Sequence, residues 1–143
     1  MKAENVRPKA SRYVAPFLAV AVLAMVSCGG VTDPSQNKTE SFSGTLTPLA
    51  QGGQPVAFFF SSGNGEYSIS VTSTNPATLN SQIGVGFGQS IGGACSPISQ
   101  NPGAKVGQTG LAGAIQQGQW CAYAFDPGIL TTATTFQMQV KHP

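Results

Sequence analysis

Between Ile83 and Gly88 the chain alternates apolar residues with glycine: Ile83-Gly84-Val85-Gly86-Phe87-Gly88. Three glycines in six residues make a poor helix, because each costs about 1 kcal/mol against alanine in a helix interior. In a strand the same spacing places Ile83, Val85 and Phe87 on one face and leaves the other without side chains. Such a bare face permits close approach by another segment. This stretch therefore predicts a strand with one apolar face and one face open to close approach.

Period-two patterning extends through the rest of the chain from Ser41. Phe42 and Leu46 share a face of Ser41–Thr47, and Tyr67, Ile69 and Val71 share a face of Tyr67–Thr72. Phe136, Met138 and Val140 do so in Thr134–Val140. Val56–Phe60 is a continuous apolar run, which predicts a strand covered on both faces or lying at a sheet edge. Cys95–Ser99 is a further short strand, and Trp120–Phe125 is another with two partly apolar faces. Lys105–Gln108 and Gly110–Ile115 are weakly patterned; Leu111–Ile115 is the nearest approach to a helix, and its glycines count against it. Turn clusters separate these runs: Gln51–Pro55, Ser61–Gly65 with its Asn64-Gly65 hairpin dipeptide, Asn75-Pro76, Asn101-Pro102-Gly103 and Asp126-Pro127-Gly128. About eight short strands predict an all-β fold, an antiparallel β-sandwich or jelly roll over residues 41–143.

The N-terminus is of another kind. Residues 1–12 carry Lys2, Arg7, Lys9 and Arg12 against Glu4, and 13–26 is an apolar run of 14 residues. That order, followed by the small residues Ser27, Cys28, Gly29 and Gly30, is the layout of a secretory signal. The run is shorter than the roughly 18–20 residues of a spanning helix, and Pro16 weakens it further. Residues 28–40, polar and rich in Gly, Pro, Ser and Asn, read as a flexible tether.

Met25-Val26-Ser27-Cys28 resembles the lipobox of bacterial lipoproteins. The resemblance implies that 1–27 is a cleaved signal peptide and that Cys28, lipidated through a thioether, becomes the N-terminus of a membrane-anchored envelope protein. Gly29 stands where Asp marks inner-membrane retention in some Gram-negative families, which favours the outer membrane or the cell surface. Two other readings stay open: a simple signal cut near Ser27, and an uncleaved anchor. Three cysteines in an exported chain leave one unpaired. Lipidation of Cys28 removes the odd one and leaves Cys95 and Cys121, which are expected to bridge in an oxidising compartment.

Charge narrows function by exclusion. The 143 residues carry 7 Lys or Arg and 5 Asp or Glu, net +2. After removal of 1–27, Lys38, Lys105 and Lys141 stand against Asp33, Glu40, Glu66 and Asp126, a net −1. The excess positive charge belongs to the signal, so nothing supports a nucleic-acid partner.

The opening Phe42-Ser43-Gly44-Thr45-Leu46, Gly118-Gln119-Trp120, and the closing Phe136-Gln137-Met138-Gln139-Val140 resemble the bacterial pre-peptidase C-terminal domain. That family is a jelly-roll β-sandwich appended to secreted enzymes, and related modules bind collagen or polysaccharide. The resemblance spans about residues 41–141 and implies a protein or polysaccharide ligand. Gln51–Pro55 replace the acidic residues common before the family's second strand, so no calcium site is carried over.

Chemistry-bearing residues are sparse. The one histidine, His142, is penultimate and reads as a solvated tail residue, with no acid–His pair placed beside a serine. Glu66 and Asp126 are the only acids for a glycosidase pair. A turn role is the simpler reading of Asp126. The supply of metal ligands is small, and no cofactor or metal is expected. Aromatic residues remain: Trp120 in the core is the plain reading, while inward Tyr123, Phe125 and Phe59 would expose it for stacking on a sugar or partner. Trp120, Tyr123 and Phe59 are thus the candidate ligand contacts. The leading expectation is a non-catalytic binding or structural module. The others are an interaction subunit using a sandwich edge or the Phe58–Phe60 strand and, remotely, a small hydrolase.

Overall fold

A computed structural model of the chain describes residues 33–48, 55–78 and 82–143. Residues 1–27, expected to be a signal segment, and Cys28 lie outside the described residues. After a single 3-10 turn, Pro34–Gln36, come eight strands: β1 (Lys38–Leu46), β2 (Val56–Ser61), β3 (Gly65–Asn75), β4 (Gln82–Ile91), β5 (Ala94–Lys105), β6 (Thr109–Ile115), β7 (Gly118–Phe125) and β8 (Thr134–His142). They form two four-stranded antiparallel sheets, ordered β1-β8-β3-β6 and β2-β7-β4-β5. First pairs with last, second with seventh, third with sixth and fourth with fifth. The chain is doubled on itself as one long ribbon and rolled, which is the jelly-roll form of the expected β-sandwich.

Side-chain alternation selects the inner faces. Tyr67, Ile69, Val71, Phe136, Met138 and Val140 are buried from the first sheet. From the second come Phe59, Ile83, Val85, Phe87, Ala122 and Ala124. Burying each large apolar side chain contributes roughly 1.5–3 kcal/mol, and this interface is the main source of stability. An aromatic stack links the sheets at one end. Phe87 lies 3.8 Å from Tyr67 and 5.0 Å from Trp120, nearly parallel to both.

Two extents differ from expectation. β1 begins at Lys38, so residues 38–40 are strand rather than tether, and the preceding turn is closed by Asp33. The Ser35 N–H donates to Asp33 Oδ1 over 2.9 Å and holds that carboxyl below its ordinary range. β5 runs on through Asn101-Pro102-Gly103 to Lys105. It is an edge strand, where a proline forfeits no ladder bond, and Asn101 ties it to β6 by donating to the Gly110 carbonyl at 2.7 Å. Leu111–Ile115, whose glycines count against a helix, is strand, as part of β6.

Candidate functional site

The two outer faces differ in chemistry. That of the first sheet exposes hydroxyls and amides, among them Ser41, Ser43, Thr45, Thr135, Gln137 and Gln139. That of the second mixes exposed apolar residues, Val56, Phe58, Phe60 and Ile98, with the polar Gln100 and Gln119. Its centre is the bare glycine stripe of β4, and rings of β7 make the close approach that the glycines permit. A Cβ at Gly84 would stand 2.5 Å from the Phe125 ring, and one at Gly86 would overlap the Tyr123 ring. Tyr123 lies flat across β4 to its neighbour β5, where its hydroxyl accepts a hydrogen bond from Gln100 Nε2 at 2.7 Å. Beside it Cys95 of β5 and Cys121 of β7 are disulfide-bonded, with Cα atoms 5.8 Å apart. The bridge spans the intervening β4 at Gly88, where a Cβ would meet the Ser96 backbone and come within 3.2 Å of Cys121 Sγ.

The candidate contacts Phe59, Tyr123 and Trp120 are taken up by internal packing. Phe59 faces inward and is buried, and Tyr123 faces outward over Gly86 but is only 1% exposed. Trp120 is half-buried, stacked on Phe87, with its indole N–H donated to the Gln116 carbonyl at 2.9 Å. The free rings are instead those on either side of Phe59. Phe58 is 47% and Phe60 52% exposed, and they continue a strip that begins at Val56. With Ser90, Gly93 and Gln119 they border an open groove of about 420 Å3. Ile91, at the tip of the β4–β5 hairpin, is 60% exposed. The sequence signals this strip only through its run Phe58–Phe60, since three consecutive phenylalanines cannot share a face of a strand.

β2 is also the least protected edge. Edge strands are normally blunted by charges, prolines or bulges. β1 carries Lys38 and Glu40. β5 carries Pro97, Pro102, Lys105 and two register shifts, and β6 carries a register shift against β3. β2, Val-Ala-Phe-Phe-Phe-Ser, has none of these.

The polar candidates do not converge. Glu66 follows the β2–β3 turn, beside the start of β7, whereas Asp126 follows the end of β7. That 8-residue strand separates them by roughly 25 Å at 3.3 Å per residue, far beyond a glycosidase pair. Asp126 is a buried turn residue whose Oδ1 accepts backbone N–H bonds from Gly128, Ile129 and Leu130. Among the described residues no three His, Cys, Asp or Glu side chains group as a metal site.

His142 is not a solvated tail. It ends β8 opposite Lys38, fully buried, its ring 4.7 Å from that of Phe59. Nδ1 donates to the Pro143 carbonyl at 2.9 Å, and Nε2 sits 3.1 Å from Glu40 Oε1. The sequence also holds a Gly-x-Ser-x-Gly pentapeptide, Gly88-Gln89-Ser90-Ile91-Gly92, hidden in the glycine alternation. A nucleophile elbow needs a strand-to-helix turn. Here the pentapeptide runs from β4 into a β-hairpin, and the His142 nitrogens are already engaged.

No protein-family model matches this chain, and a comparison with curated proteins likewise finds no match.

Proposed function

We propose that this chain is a lipid-anchored module of the bacterial cell envelope with a non-catalytic binding or structural role. Its working surface is the apolar strip of β2 with the adjacent hairpin tip. The observation that carries the role is the exposure of Phe58, Phe60 and Ile91 on a domain whose other outer face is polar. A contiguous exposed apolar patch on a small domain marks an interaction site. The anchor rests on the lipobox-like Met25–Cys28 and on cysteine arithmetic: with Cys95 and Cys121 bridged, Cys28 is the one thiol left for lipid.

A second reading, an interaction subunit of an envelope complex, is favoured by the unblocked edge of β2. A partner strand could pair there through the main chain. The test of the anchor is intact mass spectrometry of protein extracted from membranes of its native host. The expected mass is that of residues 28–143 plus a diacylglycerol-type adduct, rising by about 2 Da when the bridge takes up two protons and two electrons. A cleaved chain without lipid would overturn the reading.

A further inference from the structure

The Phe60–Ile91 part of the strip lies at the end of the sandwich where residues 33–38 enter the fold. Lys38 pairs with His142, and the Asn37 side chain reaches the Glu66 carbonyl at 3.4 Å. The chain therefore comes into the fold beside the β2–β3 and β6–β7 turns. Register carries this end across the second sheet. Ser61 pairs with Gly118, Phe60 with Gln119 and Gln89 with Trp120, so Phe60 and the Ile91 hairpin tip stand at the end where the chain comes in. Phe58 is two residues further along.

Cys28 precedes Asp33 by five residues, which extend over at most about 18 Å at 3.6 Å per residue. β3, with 11 residues, is alone about 36 Å long at 3.3 Å per residue. A lipid on Cys28 would keep the Phe60–Ile91 end within that reach of a bilayer, while the opposite end would lie a strand's length further off.

We infer that the occupant of the strip is the lipid surface itself, with Phe60, Ile91 and Phe58 seated at the boundary between headgroups and acyl chains. This rests on the anchored reading above and names the partner of that same surface. Apolar side chains at that depth add membrane affinity in proportion to the area they bury. The hairpin tip suits the role, since Gly92 and Gly93 have positive φ and no atom within 4 Å of where a Cβ would lie. Charge plays little part. Lys38 and Lys141 at this end are offset by Asp33, Glu40 and Glu66, so the contact requires no anionic lipid and resists salt.

The experiment uses the full lipidated chain in phosphatidylcholine vesicles, with and without bromine on the acyl chains. Trp120→Phe removes the native indole. A reporter is then introduced by Phe60→Trp, by Ile91→Trp or, at the far end, by Thr131→Trp. Ile91→Trp lies on an exposed turn and keeps the test alive if the Phe60 variant folds poorly. The expected result is quenching at positions 60 and 91 several-fold stronger than at 131, unchanged by high salt. Flotation with the vesicles but equal, weak quenching at all three positions would overturn the inference and leave the anchor standing. A blue-shifted reporter at position 60 without bromine quenching would overturn it in favour of a protein partner or a second copy. Failure to float would overturn the anchor, and the inference with it.

Discussion

The ring of Tyr123 occupies the space where a side chain at Gly86 would be. The two residues pair across β4 and β7 on the outer face, and the glycine lets the tyrosine lie flat and reach Gln100. Gly86→Ala is expected to lift the ring and cost roughly 2–3 kcal/mol, a typical overpacking penalty. Urea unfolding measures it. In a Tyr123→Ala background the same change should cost under about 1 kcal/mol, because contacting residues couple and the clash is gone. An equal cost in both backgrounds would refute the contact.

The Cys95–Cys121 bridge closes a loop with a sequence separation of 26. The chain-entropy estimate for such a loop is about 3.5 kcal/mol. Reduction, or Cys95→Ala with Cys121→Ala, should lower the urea midpoint accordingly without changing the fold. Labelling of either thiol in the folded, unreduced domain would contradict the bridge.

His142→Ala should destabilise the domain by roughly 2–3 kcal/mol, through loss of the ring contact with Phe59 and of two polar partners. A solvated tail residue would give no measurable change in thermal unfolding, so the two outcomes separate cleanly.

Asp126→Ala leaves three backbone N–H groups without their acceptor and should cost about 2–3 kcal/mol. Asp126→Asn keeps an oxygen in place and should cost less. Since the carboxylate is committed to the backbone, calcium and chelator should give the same melting curve with the wild-type protein.

The core strands were legible because one period governed each of them. Tyr67, Ile69 and Val71, or Phe136, Met138 and Val140, alternate with polar neighbours, and burial follows the alternation. Both faces of Trp120–Phe125 are apolar because the second sheet covers its own outer face with Tyr123 and Phe125. Periodicity could not say which side was core. β5 outruns the strand Cys95–Ser99 that its pattern predicts, because an exposed edge strand shows little alternation and tolerates prolines that would end an interior strand. The burial of His142 escapes the local pattern for a different reason. Its burial depends on pairing with Lys38 and on Glu40, which lies 102 residues away, and no local pattern records such a neighbour. The surface strip was half visible: the run Phe58–Phe60 requires an outward ring, but the exposure of Ile91 follows only from its place at a hairpin tip.

The pairing of first strand with last also sets the order of assembly. As the chain is made from its N-terminus, β1 has no partner until Thr134–His142 has been synthesised, and β3 waits for the same strand to join it to β1. Contacts between such distant residues fold slowly, because loop closure comes before its reward. The apolar half-ribbon would meanwhile stand open to aggregation. A nascent chain lacking only β8 should therefore remain protease-sensitive throughout, and resistance should arrive in one step when that strand becomes free to dock.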